Sequence, residues 1–86
     1  MKLIKVASAI YIDNYSIEFT FNDGLIGRIN FDNLLEGNVY IPLKDIGYFK
    51  KFSLNRWTIE WPNGADFAPE FLYQKIEQKV KVHNQV

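Results

Sequence analysis

Apolar and polar residues alternate most regularly in the stretch YSIEFTF, residues 15–21. Its odd positions are all aromatic or aliphatic, whereas Ser16, Glu18 and Thr20 occupy the even ones. Successive side chains of a strand point to opposite faces, so this alternation predicts a half-buried antiparallel strand. Residues 3–12 alternate less cleanly. A strand there would have one face formed by Ile4, Val6, Ile10 and Ile12, with Ser8 as the polar exception.

The next stretch, residues 25–31, predicts the second strand of a hairpin. A two-residue turn at Asp23-Gly24 would place Phe19 opposite Arg28, which sets a core residue against a surface residue. A three-residue loop over residues 22–24 instead sets apolar residues against each other: Phe21 with Leu25, Ile17 with Ile29 and Tyr15 with Phe31. We therefore predict the longer loop, in which Gly24 supplies a left-handed backbone conformation.

The middle of the chain predicts short elements. FDNLLEGN, residues 31–38, has the form of a helical turn that Asp32 caps and Gly37 ends. VYIPL, residues 39–43, predicts an extended edge segment, because Pro42 lacks the N–H group that a ladder hydrogen bond needs. Residues 44–52 predict a helical turn that leads into a strand.

A second hairpin is predicted across Asn55-Arg56, between residues 51–54 and 57–61. That register sets apolar residues against each other, Leu54 with Trp57 and Phe52 with Ile59. The second strand would then carry Trp57, Ile59 and Trp61 on one buried face.

The stretch PNGADFAPE, residues 62–70, predicts a corner between this hairpin and a helix. Asn63-Gly64 is a strong turn dipeptide, and Asp66 is placed to accept main-chain N–H groups as a cap. Pro69 is favourable as a first helical residue. The helix that follows carries an apolar stripe of Leu72, Ile76 and Val80, widened by Tyr73.

Together these elements predict one domain over residues 1–86, of the α+β class. We expect a small antiparallel sheet built from two hairpins plus an N-terminal strand, packed against a C-terminal helix. Nearly half of the residues are apolar (48%), which is enough for a core without disulfides.

The composition excludes several classes of function. Ten basic and ten acidic side chains balance, so the isolated domain is not expected to bind nucleic acid or an anionic membrane. The chain has no cysteine, which excludes a thiolate metal site, and His83 is its one histidine, so a conventional catalytic triad is not expected. We expect no cofactor, and in the favoured interpretation no metal. No apolar run is long enough to span a membrane, and a cytoplasmic location is expected.

Two interpretations of the corner stay open. In the first, Trp57, Trp61, Asn63, Gly64, Asp66 and Tyr73 are structural and hold the bend together. In the second, the Trp61–Asp66 corner binds a small ligand, a cation or nucleic acid, with Glu60, Asp66 and Glu70 as oxygen ligands of a cation. A hydrolase using Asp66 and Glu60 is the least favoured alternative.

The chain resembles the bacterial domain of unknown function 2442 family. The resemblance is carried by FNDG at 21–24, IPLKD at 41–45, IEWPNGAD at 59–66 and Leu72-Tyr73. It implies a compact α+β fold without established catalytic residues. It also implies a regulatory setting, because members are often encoded beside another small protein in pairs that look like toxin–antitoxin pairs. Some members carry an added helix-turn-helix domain, which we do not expect in this chain.

We therefore expect a protein-interaction or regulatory module, an antitoxin-like partner of a small co-encoded protein, or a self-associating one. The predicted contact residues are Val39, Tyr40 and Ile41 on the edge segment and Asn55 and Arg56 at the second hairpin. The alternative is the small-ligand, metal or nucleic-acid binding domain described above.

Overall fold

The computed structural model describes residues 3–84, and the side chains of residues 3–78. Three antiparallel strands form one sheet in the order β1 (Val6–Asp13), β2 (Ser16–Phe21) and β3 (Ile26–Asn30). A 3-10 helix (Ile41–Lys44) and helix α1 (Ile46–Phe49) follow. Strands β4 (Ser53–Leu54) and β5 (Ile59–Glu60) form a separate hairpin, and helix α2 (Pro69–Asn84) packs on β3. The predicted α+β class is confirmed.

The register of the first hairpin is confirmed. Ile17 pairs with Ile29, and the main-chain N–H of Phe21 donates to the carbonyl of Leu25 at 2.8 Å. Gly24, in the loop, has a φ of 94°, a left-handed conformation that side chains other than glycine rarely adopt. Apolar burial therefore selected the three-residue loop, as the pattern of residues 15–31 indicated.

The predicted face of the first strand is wrong beyond Val6. An irregularity between Val6 and Ser8 adds one residue to β1 relative to β2, so the alternation changes sides. Ala9 and Tyr11 then lie opposite the inward residues of β2, whereas Ile10 lies on the outer face and is 57% exposed. A bulge of this kind leaves no clear mark in the order of apolar residues.

Residues 39–43 do not form an extended edge segment, which corrects the prediction for that stretch. Residues 38–40 form a turn, and the 3-10 helix begins at Ile41 with Pro42 in its first turn. Pro is compatible with a first helical turn because the N–H that it lacks has no partner there. The buried side chain of Leu43 anchors this helix in the core.

The second hairpin forms, but its predicted register is wrong. Leu54 pairs with Ile59 and Ser53 with Glu60, so the loop contains residues 55–58 rather than two residues. The Asn55 side chain explains the longer loop, because its Oδ1 accepts from the main-chain N–H groups of Trp57 and Thr58, each at 2.8 Å. A side chain that mimics a backbone turn thus outweighed the cross-strand pairing of Leu54 with Trp57.

A single apolar core joins these elements. Its largest fully buried side chains come from the sheet, the connecting segments and the helix: Trp61, Phe19, Phe21, Phe31, Phe49, Ile17, Leu35, Leu43, Ile59 and Leu72. Leu72 and Ile76 of the predicted helical stripe are both buried. The prediction for the side chain of Val80 lies outside the described side chains.

Tyr73 ties the helix to the first hairpin. Its hydroxyl donates to Oδ2 of Asp23 at 2.5 Å, and its ring packs edge-on against Phe21. The hydrogen bond to Asp23, followed by desolvation, raises the pKa of Tyr73 above its ordinary value of 10.0. Burial raises the pKa of Tyr40 in the same direction.

These two raised pKa values predict a loss of stability in alkali. The folded protein keeps protons that the unfolded chain releases, so the stabilisation is complete below about pH 10 and is lost as the pH rises through the folded-state pKa values. Urea unfolding should show a falling free energy of unfolding above that pH. In Tyr73→Phe the free energy of unfolding should fall less steeply with pH, and the fall that remains is assigned to Tyr40. An identical alkaline slope in both proteins would contradict the role of Tyr73.

Candidate functional site

An open groove of about 620 Å³ lies where the N-terminal segment, the β4–β5 loop and the start of α2 meet. We call it the Trp57 groove and define it by Leu3, Ile4, Arg56, Trp57, Asp66 and Glu70; Asn55, Thr58, Ala68 and Pro69 complete its lining. The main-chain N–H of Val6 donates to the carbonyl of Trp57 at 2.9 Å. This hydrogen bond holds the loop beside the first strand and so keeps two walls of the groove together.

The β4–β5 loop holds Trp57 partly in solvent. Asn55 accepts from the N–H groups of Trp57 and Thr58, and its Nδ2 donates to Glu60 Oε1 at 2.9 Å. Thr58 is buried, and its Oγ1 donates to the Phe67 carbonyl at 2.7 Å. With both ends of the turn fixed in this way, the Trp57 side chain remains 41% exposed.

Charges of opposite sign line the groove. Arg56 lies in the β4–β5 loop, and the Nζ of Lys5 lies 5.9 Å from the centroid of the Trp57 ring, a cation–π distance. Asp66 and Glu70 lie on the corner and on the first turn of α2. Apolar side chains beside charges of both signs can contact an apolar side chain of a partner and pair with its ionic groups.

Trp61 does not belong to this groove, so the two tryptophans have different roles. Trp61 is 1% exposed, and its Nε1 donates to the Phe49 carbonyl at 2.7 Å. The prediction that Trp57 and Trp61 share one buried face is therefore wrong for Trp57. The longer loop is the reason, because it moves Trp57 out of the strand and off the face that Ile59 occupies.

Asn63 and Gly64 have structural roles at the corner. Gly64 has a φ of 88°, and its N–H donates to the Trp61 carbonyl at 2.9 Å, which closes the predicted turn. Asn63 Oδ1 accepts from the Ala65 N–H, and its Nδ2 donates to the Val39 carbonyl at 2.9 Å. The bend is thus held by main-chain and amide hydrogen bonds.

The predicted cap at Asp66 is wrong. Among the described residues, no main-chain N–H donates to its carboxylate. Its main chain instead forms a bridge with Glu60, and its carbonyl accepts from the Tyr40 hydroxyl. That bridge keeps the segment extended three residues before Pro69, too far from the helix for capping. The exposed carboxylate lines the Trp57 groove instead.

The structure separates the five predicted contact residues. Tyr40 is half-buried: its ring stacks on Phe67 at 4.8 Å, and its hydroxyl donates to the Asp66 carbonyl. The Asn55 side chain forms its hydrogen bonds within its own hairpin. Val39 and Ile41 are exposed, 44% and 53%, but neither lines the Trp57 groove. Of the five, Arg56 and Asn55 reach the groove.

Sequence reasoning missed Leu3, Ile4 and Lys5 as neighbours of Trp57. The available signal was Leu3, an apolar residue outside the regular alternation that is 60% exposed in the structure. The pairing of the N-terminal segment with the β4–β5 loop spans more than fifty positions along the chain. A local sequence pattern cannot predict a contact between residues so far apart in the chain.

The groove's polar groups are an amide, a hydroxyl, a guanidinium and two carboxylates. Across the part of the chain that the structure describes, no three acidic or histidine side chains converge closely enough to hold a metal ion. Glu60, one of the three candidate cation ligands, accepts from Asn55 instead.

None of the described helices combines the length and apolar character needed to cross a bilayer.

The fold and the groove define a small α+β domain that presents one tryptophan beside opposed charges. The chain belongs to the family described as "Protein of unknown function (DUF2442)", whose pattern matches residues 6–78. The resemblance in the FNDG and WPNGAD motifs is thereby confirmed at the level of the family. Searches of curated proteins and of solved structures find no match to the chain.

Proposed function

We propose that this domain is a protein-interaction module and that its Trp57 groove binds a segment of a partner protein. The carrying observation is the half-exposed Trp57, held at the groove by the Asn55 hydrogen bonds. Exposing a large indole gives up burial energy, whereas tryptophan is among the residues most enriched at the energetic centres of interfaces. The loop that keeps Trp57 out of the core therefore supports a binding role.

The lining of the groove indicates what the partner segment carries. An apolar or aromatic side chain would pack on Trp57, Leu3 and Ile4. An acidic group would face Arg56 and Lys5, and a basic group would face Asp66 and Glu70. In the antitoxin-like role that the family resemblance implies, the segment belongs to a small protein encoded beside this chain.

Trp57→Ala provides the main test. Because the indole is 41% exposed, its removal should lower the free energy of unfolding by no more than about 1 kcal/mol, as expected for a surface position. The affinity for the co-encoded protein should fall by about thirtyfold or more, the effect of losing an interfacial anchor. Isothermal titration calorimetry on the purified pair measures the affinity, and urea unfolding measures stability.

Ile10→Ala is the matched control, because Ile10 is an apolar residue of the outer sheet face, exposed by 57%, that does not line the groove. The affinity of Ile10→Ala for the co-encoded protein should equal that of the wild-type chain. Unchanged affinity in Trp57→Ala, or equal losses in the two variants, would reject the Trp57 groove as the binding site.

A small-ligand function is the second candidate, favoured by the volume of the groove. Ligand sites commonly enclose about 300–1,000 Å³, and this groove falls within that range. A thermal-shift screen of metal salts, nucleotides and amphiphilic small molecules separates the candidates. A compound that raises the melting temperature of the wild type but not of Trp57→Ala would favour the ligand.

A further inference from the structure

Strand β3 forms an edge of the three-stranded sheet. In the described part of the chain it pairs with β2, and no strand lies along its other side. Strand edges of this kind are where proteins accept an added strand, since the backbone groups supply affinity and the flanking side chains supply specificity. The sequence predicted an edge strand at residues 39–43. In the structure the edge is instead β3, which ends more than ten positions before Ile41.

The register shows which backbone groups point outward. Phe21 N–H donates to the Leu25 carbonyl, and Phe31 N–H donates to the Tyr15 carbonyl, so the odd-numbered residues of this hairpin exchange hydrogen bonds with β2. Hydrogen-bonded positions alternate along an antiparallel pair. The N–H and carbonyl groups of Ile26 and Asn30 consequently point away from β2.

A shallow depression of about 240 Å³ lies beside this edge, lined by Ile29, Asn30, Asn33, Leu34 and Lys75. Leu34 is half-buried and offers an apolar surface next to the strand. The depression has room for a side chain that points inward from an added strand. On the opposite face of the sheet, the face of Arg28, the Ile26 side chain is 57% exposed.

Two cations flank the same edge. Arg28 lies on the outer face, where its Nε contacts Glu18 Oε2 at 3.3 Å. The Arg28 side chain is 61% exposed, so its positive charge can attract a carboxylate of an added strand while the Glu18 contact is kept. Lys75 lies at the depression, and its Nζ is 5.4 Å from the centroid of the Phe71 ring. Acidic side chains on the outer face of an added strand would therefore meet Arg28, and Lys75 adds positive charge at the depression.

Arg28 also opposes pairing of this edge with a second copy of the chain. In an antiparallel pair centred on Gly27, Arg28 or Ile29, the two Arg28 side chains are opposite or diagonal neighbours on one face. Like charges at such cross-strand positions are destabilising. Charged residues on edge strands are a known device against self-association.

We infer that the edge of β3 binds an extended acidic segment of a partner protein as an additional strand. The segment alternates acidic residues, which face Arg28, with apolar residues, which enter the depression beside Leu34. This site is separate from the Trp57 groove and shares no residue with it.

The test uses two short blocked peptides, one alternating glutamate and valine and the other alternating lysine and valine. Each is titrated into the uniformly ¹⁵N-labelled full chain. The glutamate peptide should shift the amide resonances of Ile26, Arg28 and Asn30 and slow their hydrogen exchange by about tenfold or more. The lysine peptide should leave them unchanged. No shift at β3, equal effects of both peptides, or shifts confined to the Trp57 groove would overturn the proposal.

Two variants separate backbone pairing from charge. Ile26→Pro removes an outward N–H group without removing a bond to β2, and it should weaken binding of the glutamate peptide by about tenfold relative to Ile26→Ala. Arg28→Glu should reverse the preference in favour of the lysine peptide. Equal binding by Ile26→Pro and Ile26→Ala, or an unchanged preference in Arg28→Glu, would reject strand addition. Both results are independent of Trp57→Ala, so failure here leaves the groove proposal standing.

Discussion

Replacing Trp61 with alanine is expected to remove most of the domain's free energy of unfolding. The indole is 1% exposed and contacts the rings of Phe31, Phe49, Phe52 and Phe67. Removing a buried tryptophan costs about 3–5 kcal/mol through lost burial and the cavity left behind. The loss of its Nε1 also leaves the Phe49 carbonyl without its donor, at a further cost of about 1–3 kcal/mol. A chain of 86 residues has a total stability of only about 4–13 kcal/mol.

Urea unfolding followed by far-ultraviolet circular dichroism measures this loss, and two controls divide it. Trp61→Phe keeps an aromatic ring but not the N–H donor, so it should lose part of the stability that Trp61→Ala loses. Trp57→Ala removes the same type of side chain from an exposed position and should unfold near the wild-type midpoint. Similar losses in the two alanine variants would contradict the assignment of Trp61 to the core and Trp57 to the groove.

Replacing Gly27 with alanine is expected to destabilise the domain by about 1–3 kcal/mol, the typical effect of overpacking. A Cβ at this position would lie 2.5 Å from Cγ2 of Ile76 and 3.0 Å from its Cγ1. Both atoms branch directly from the Ile76 Cβ, so the side chain cannot yield without moving α2 away from β3. The sign of the effect is informative, because alanine in a strand interior is otherwise favoured over glycine by about 0.5–1 kcal/mol.

A double-mutant cycle with Ile76→Ala identifies the cause. Ile76→Ala alone should cost about 2–5 kcal/mol by leaving a cavity beneath the helix. In the double variant the new methyl group occupies part of that cavity, so the combined loss should be smaller than the sum of the single losses. Gly47→Ala in α1 is the control, since its Cβ would meet only Asp45 Oδ2 at 3.4 Å. Additive losses in the cycle would show that Gly27 and Ile76 do not interact as described.

The sequence carried more information about the fold than about the site. The hairpin of residues 15–31 was predictable in its register, because a slip by one residue would have moved every ring of that strand into water. The start of α2 at Pro69 was predictable from local backbone preferences. The Trp57 groove was not, because its walls come from three separate parts of the chain, and the Asn55 side chain holds the loop that carries Trp57.

The amino-acid sequence by itself determined the α+β class, the first hairpin, the turn at Asn63-Gly64 and the family to which the chain belongs. These features depend on interactions between residues close in the chain, or on an alternation that one strand reveals alone. Only the tertiary structure decided the bulge in β1, the exposure of Trp57 and the position of β3 at the sheet edge. Each of these depends on which distant segment packs or hydrogen-bonds alongside, and that choice is made by the free energy of the whole folded chain.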